Sequence, residues 1–240
     1  MATTVPTALP KGAVGIFGGS FNPVHVGHVR LAEMIQQTCA FDTLWIVPNR
    51  QSPLKGEPPI DPQKRFEMVK LAFDGVPNTK ISTFEMDREG PSYAIHTIEH
   101  IKKQNEGKPV YFILGTDAFY DLPEWYEFPR LLDECSYIVV TRAGFDRPET
   151  SPENTKLAAG IAELKDERLI KDDAAFAPFT QVFRTRQKTQ ICVFEAQLPE
   201  VSSTEIRIRL QMGVSIEKLV PPTVERYLKS SGLYVNKQTE

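Results

Sequence analysis

The stretch Gly18-Gly19-Ser20-Phe21-Asn22-Pro23-Val24-His25-Val26-Gly27-His28 constrains the fold most, because of what stands on either side of it. Residues 13–17 before it form an apolar run of strand length, and residues 26–38 carry apolar side chains at helical spacing. A strand, a glycine-rich turn and a helix in that order open a βαβ unit, whose next strand runs parallel to the first. Residues 43–47 supply that strand, ended by Pro48. Further strands are expected at 81–84, 110–114, 137–141 and 191–195, alternating with helical periodicity. The pattern predicts an α/β fold built on an open parallel sheet with helices on both faces.

Local signals place the helices. Asp61 offers an N-cap with Pro62 at the first helical position, opening a helix to residue 73. Ser92 is the expected cap of a helix running through residue 103. Residues 202–211, closed by Gly213, and 221–229, closed near Gly232, predict a small C-terminal helical part over 202–234. Residues 49–60, with Pro53, Pro58 and Pro59, are a loop long enough to invite a functional role. Residues 143–186 show weak periodicity and many charges, and read as a helical insertion, a lid or a surface segment.

With 41% apolar and 25% charged residues, a chain of 240 residues fits one compact domain that needs no disulfide or metal staple. The formal charge of −3 leaves no global basic field to hold a nucleic-acid backbone. Apolar runs such as 137–140 fall far short of the roughly 20 residues that span a bilayer. Residues 1–11 have neither the basic start nor the apolar core of a secretory leader, so a cytoplasmic location is expected. Cys39, Cys135 and Cys192 are widely separated in mostly apolar contexts and read as reduced thiols in or near the core.

An anionic substrate must therefore be held locally. Glycines let the backbone approach a phosphate, and a helix N-terminus favours the anion. Half of the chain's four histidines, His25 and His28, stand three apart at that helix start, so both imidazoles can donate to one phosphoryl group. The plainer alternative is a polar turn capping a helix, with two surface histidines. Later, Ser202 and Glu205 have capping-box spacing, and the same segment gathers hydroxyls, amides and Arg207 around a helix end.

Early Gly-Gly-Ser-Phe-Asn-Pro-Val-His-x-Gly-His and late Ser-Ser-Thr-x-x-Arg together resemble the nucleotidyltransferase superfamily whose H-x-G-H motif binds ATP. Those motifs alone also admit phosphopantetheine adenylyltransferases and cytidylyltransferases. Gly90-Pro91-Ser92-Tyr93, Leu114-Gly115-Thr116-Asp117 and Trp125-Tyr126-Glu127 bring the resemblance closer to bacterial nicotinate-nucleotide adenylyltransferases. The ending from Leu219-Val220-Pro221 to Gly232-Leu233-Tyr234 does the same. The resemblance implies a Rossmann-like sheet of the nucleotidyltransferase type. It also implies adenylyl transfer from ATP to nicotinate mononucleotide in NAD biosynthesis.

By that resemblance His25 and His28 are the catalytic contacts to the ATP phosphates, within the turn of Gly18, Gly19, Ser20 and Phe21. Ser203, Thr204, Arg207 and Lys55 belong to the triphosphate side, and Gly115 and Asp117 to the adenosine ribose, although Asp117 could equally cap a helix. The nicotinate mononucleotide falls to Ser92, Tyr93, Ala94, Trp125, Tyr126 and Arg142, with an exposed Trp125 stacking on the pyridine ring. Trp45, by contrast, reads as core. Ala94 replaces a threonine common in the family, so carboxylate recognition would rest on main-chain N–H groups. No protein metal site is expected: Mg2+ would ride on ATP phosphates and water. A homo-oligomer is admitted. Two rivals stay open: an adenylyltransferase for nicotinamide mononucleotide or phosphopantetheine, and a non-catalytic nucleotide-binding regulator.

Overall fold

The structure is a computed structural model that describes residues 9–54, 60–142 and 152–235. In chain order the elements are β1 (Val14–Gly19), α1 (Val26–Cys39), β2 (Thr43–Pro48), α2 (Pro62–Phe73), β3 (Thr79–Ile81), α3 (Ala94–Gln104), β4 (Val110–Gly115) and α4 (Thr116–Tyr120). After a 3-10 turn at Leu122–Glu124 come α5 (Arg130–Glu134), β5 (Ser136–Arg142), α6 (Pro152–Asp166), β6 (Ile170–Asp173), β7 (Gln181–Thr185) and β8 (Gln190–Ala196). Two helices close the order, α7 (Ser203–Gln211) and α8 (Pro222–Ser231).

The strands form one sheet in the order β3-β2-β1-β4-β5-β8-β7-β6. From β3 to β8 every pairing is parallel, as expected, but β7 and β6 join antiparallel at the far edge. The sheet is therefore mixed rather than wholly parallel. The described part of 143–186 is α6 followed by this β6–β7 hairpin.

Side chains alternate across the sheet with the period of two that a pleat imposes. Phe17, Ile113, Ile138 and Cys192 join one core with α1, α2 and α8. Ile16, Phe112, Val139 and Val193 join a second core with α3, α5 and α6. Helices thus cover both faces.

Asp61 caps α2 through its carboxylate, which accepts from the Gln63 N–H at 2.7 Å, and Pro62 follows as N1. Gly232 closes α8 in the left-handed conformation (φ 61°) that favours glycine. Two expectations shift. The strand placed at 81–84 lies at Thr79–Ile81, because pairing with Leu44–Ile46 sets its extent, and Phe84 stacks instead on His100 at 4.0 Å. Ser92 does not cap α3; Tyr93 stands at the N-cap without a side-chain bond, and Ser92 serves a different contact. All three cysteines are buried and unpaired, and burial pushes each thiol up to about 12. Among the described residues no helix is long and apolar enough to cross a membrane.

Candidate active site

The chain winds outward from β1 to β2 and β3, then restarts at β4 and winds the other way to β5 and β8. Connections leave β1 and β4 in opposite directions, so a crevice opens at their carboxyl ends, where open α/β sheets take ligands. Gly19 and Gly115 end those two strands.

The turn after β1 is packed before it is polar. Phe21 adopts φ 44°, is 2% exposed, and folds its ring back so that a Cβ on Gly19 would lie 3.2 Å from it. The Phe21 ring is thereby packed into the core, and only its backbone faces the turn. His25 is the N-cap of α1. Its N–H donates to His28 Nδ1 at 3.2 Å, and the His28 N–H donates back to His25 Nδ1 at 3.4 Å, a capping box made of two imidazoles. The rings stack with centroids 3.6 Å apart and planes 24° apart, and Phe21 meets His28 edge-on at 5.0 Å. Gly27 permits this closeness: a Cβ there would come within 3.1 Å of both the His25 ring and Val201 Cγ1.

These bonds decide the protonation of the pair. With each Nδ1 accepting, each neutral ring carries its proton on Nε2, on the side away from the helix backbone. Burial lowers the His25 pKa to about 4 and lowers that of His28 well below its ordinary value, with the neighbouring ring adding to the shift. The two imidazoles are thus neutral N–H donors at pH 7, neither surface histidines nor cations. Three of the first four amides of α1 are engaged within the protein. The Val26 N–H donates to Leu219 O at 3.0 Å, and the His28 and Val29 N–H groups turn to His25 O.

The late motif meets this turn directly. Ser202 caps α7 by accepting from the Glu205 N–H at 3.1 Å, while the Glu205 carboxylate pairs with Arg209 instead of completing a capping box. Ser203 Oγ donates to Pro23 O at 2.9 Å. Arg207 donates to Asn22 O at 2.7 Å and to Thr204 Oγ1 at 3.1 Å. The Tyr234 hydroxyl donates to the Asn22 side-chain oxygen, so residues from the end of the chain hold the turn near its beginning. His25, His28, Ser203, Thr204 and Arg207 therefore share one end of the crevice.

Across the crevice, a Cβ on Gly115 would meet nothing within 4 Å, leaving room beside β4. Gly115, not Asp117, is the N-cap of α4, which removes the capping alternative for Asp117. The Asp117 carboxylate pairs at 2.7 Å with Lys156 of α6. Ser92 closes a neighbouring loop: its Oγ accepts from the Arg50 N–H at 3.1 Å, and its N–H donates to Gln51 O at 2.8 Å. Tyr93 packs on Tyr126 at 4.4 Å, with His96 edge-on to both, and Ala94 begins α3 beside them.

Trp125 is half-buried, its ring edge-on to Phe112 at 6.0 Å, so the expected exposed tryptophan is partly core. Tyr126 is the more open ring, 48% exposed. Trp45, expected in the core, is also half-buried, under Lys80. Arg142 ends β5, but its side chain lies outside the described residues, as does Lys55.

Sequence reasoning missed Arg65, Asn49, Leu219 and Lys156, all of which brace these loops. Arg65 alone left a signal, since it falls on the stripe of Met68, Val69 and Ala72. Among the described residues no group of three or more His, Cys, Asp or Glu side chains could hold a metal ion. A groove of about 590 Å3 between α1 and residues 197–199 is lined by none of the site residues expected from the sequence.

The cytidylyltransferase-like family model matches residues 16–209. A probable nicotinate-nucleotide adenylyltransferase of Pelobacter propionicus is 34% identical over 92% of this chain and 97% of its own length. That of Serratia proteamaculans is 31% identical over 91% and 94%. Among solved structures, the Plasmodium falciparum nicotinic acid mononucleotide adenylyltransferase complexed with NaAD superposes with a TM-score of 0.64. It is 19% identical and covers 92% of this chain and 97% of its own. That likeness speaks for the fold. By the family model and these relatives, the chain belongs to the cytidylyltransferase-like family and, within it, to the nicotinate-nucleotide adenylyltransferases.

Proposed function

We propose that this chain joins the adenylyl group of ATP to nicotinate mononucleotide, releasing pyrophosphate and forming nicotinate adenine dinucleotide. The observation that carries the reading is the pair of stacked neutral imidazoles, each pinned through Nδ1 and presenting an Nε2–H beside the α7 start. Two donors of that kind suit charge growing on the oxygens of a phosphoryl group in transfer, and they need no proton exchange to act.

A phosphate oxygen of the mononucleotide attacks the α-phosphorus of ATP. The bond from that phosphorus to the bridging oxygen breaks, and pyrophosphate departs with the electron pair. His28 and His25 donate to the α-phosphoryl oxygens; Ser203, Thr204 and Arg207 hold the β- and γ-phosphates, with Lys55 joining them. Gly18, Gly19 and Ser20 bring backbone to the phosphates. Gly115 leaves space for the adenosine ribose, which Asp117 reaches from α4. Trp125 and Tyr126, with Tyr93 and the backbone of Ser92 and Ala94, receive the nicotinate ring, and Arg142 serves the same substrate.

Among the described residues the side chains gathered at the phosphate end are imidazoles, hydroxyls and a guanidinium, with no carboxylate cluster. Such a set fits Mg2+ that arrives on triphosphate oxygens and water rather than in a protein cage. Bound there, the ion offsets charge on the leaving pyrophosphate. The reading places the reaction in the cytoplasm, without a nucleic-acid or membrane partner, and admits a homo-oligomer.

The test is pyrophosphate release from ATP and Mg2+ with nicotinate mononucleotide, nicotinamide mononucleotide and phosphopantetheine in turn. The highest kcat/KM is expected with nicotinate mononucleotide. A higher value with another acceptor would reassign the substrate, and ATP binding without release would make the chain a regulator.

A further inference from the structure

Arg65 lies on α2 with no part of its side chain exposed, among the apolar residues of the first core. Burial lowers its pKa from the ordinary guanidinium value, and its Nε has no partner. Its hydrogen bonds go to neutral oxygens: Nη1 donates to Ser20 O at 2.7 Å and to Asn49 Oδ1 at 3.4 Å, and Nη2 donates to Arg50 O at 2.7 Å. A methionine of similar volume would carry no charge to desolvate but would leave these oxygens without their donor. What only a guanidinium adds is a rigid planar fork that fixes two carbonyls at a set separation.

Those carbonyls belong to different substrate sides. Ser20 follows β1 in the phosphate turn, and Asn49 reinforces it by donating to Gly19 O at 3.0 Å and to Ser20 Oγ at 3.1 Å. Arg50 leads the other way: its N–H donates to Ser92 Oγ at 3.1 Å, and the Ser92 N–H returns to Gln51 O at 2.8 Å. An unbroken chain of hydrogen bonds therefore runs from the turn beside His25 to the Ser92–Tyr93 segment that opens α3.

We propose that Arg65 is a positioning residue that sets the spacing between the ATP half-site and the mononucleotide half-site, an inference that rests on the function proposed above. It touches neither substrate. Attack of one phosphate on another demands close alignment, and small displacements originating away from the chemistry are costly to turnover. Loss of the fork should thus lower kcat while each substrate alone still finds an intact half-site.

The test compares wild type with Arg65→Met, Arg65→Lys and Asn49→Ala. It uses kcat at saturating substrates, calorimetric Kd for ATP alone and for nicotinate mononucleotide alone, and the fraction of binding-competent protein. Arg65→Met is expected to lose roughly 10- to 100-fold in kcat, with both Kd values within about threefold of wild type and full binding stoichiometry. Arg65→Lys, which can hold one carbonyl but not two, should fall between. Should Arg65→Met fail to fold, Asn49→Ala carries the test, with the same split at a smaller fall in kcat. The inference is overturned if kcat stays within twofold in a folded variant, or if kcat falls only in step with weakened binding or lost stoichiometry. A wild-type chain that releases no pyrophosphate sinks the functional reading itself, whereas an active wild type with an unaffected fork variant sinks this inference alone.

Discussion

Replacing His28 with alanine removes at once the Nε2–H donor, the Nδ1 acceptor that binds the His25 N–H at 3.2 Å, and the ring contacts, stacked on His25 at 3.6 Å and edge-on to Phe21 at 5.0 Å. The first loss is chemical. Removing one preorganised donor from developing negative charge costs about 10²–10³ in kcat, or about 2.7–4 kcal/mol of transition-state stabilisation. The other losses are structural: about 1 kcal/mol for a helix cap and about 1 kcal/mol for a half-buried aromatic contact. For a chain of 240 residues each kcal/mol lowers Tm by roughly 2–4 °C, so His28→Ala should melt about 4–8 °C below wild type and remain folded at 25 °C. Pyrophosphate release at saturating substrates, with a thermal melt on the same sample, separates the two effects. His28→Gln, which keeps an N–H donor, should recover part of kcat. A kcat within threefold of wild type in the folded alanine variant would remove His28 from the chemistry and leave it only a cap.

Because burial lowers the His25 pKa to about 4 and lowers that of His28 well below its ordinary value, their contribution to stability is complete above the ordinary histidine range and is lost as pH falls from about 6.5 toward 4. Tm should therefore be flat above pH 7 and decline below about 6.5, with His25→Asn declining less; an equal decline would place the titration elsewhere. Gly27→Ala puts a methyl 3.1 Å from both His25 and Val201, which should cost about 1–3 kcal/mol and slow turnover by tilting the imidazole pair; unaltered Tm and kcat would show that the neighbours yield freely. Trp125→Ala should raise KM for nicotinate mononucleotide about 10-fold, as expected for loss of a ring stack, while KM for ATP stays near wild type. A rise confined to ATP would move the tryptophan out of the nicotinate site.

What could be read in advance depended on how local its cause was. The His25–His28 start of α1, the Asp61–Pro62 start of α2 and the Ser202 cap of α7 are written in residues within four positions of one another, and all three stand where the sequence puts them. By contrast, β1 runs on through Gly18 and Gly19, which pair with Val47 and Pro48. The extent of β3 was misplaced because Leu44 and Ile46, on another strand, decide it. The β6–β7 hairpin escaped notice because it lies at the sheet edge, where Lys171, Asp172 and Arg184 interrupt the apolar pattern. Ser92 carries a standard capping signal, but Arg50, 42 positions earlier, claims its oxygen. Arg65 showed in advance only as a position on the apolar stripe of α2; the folded loops above it show why a cation is buried there. The pairing of Asp117 with Lys156 likewise needed α6 to be placed before it could be seen.

The bonds from Leu219 O to Val26 N and from the Tyr234 hydroxyl to Asn22 bear on synthesis as well as on catalysis. During translation the histidine turn leaves the ribosome early, with its backbone and Asn22 side chain still lacking these partners. Prolonged pausing, or a stop codon before residue 219, would leave a polypeptide able to start its sheet yet with a slack phosphate loop. Nascent chains should thus acquire nucleotide affinity late and abruptly, once the α8 region has docked.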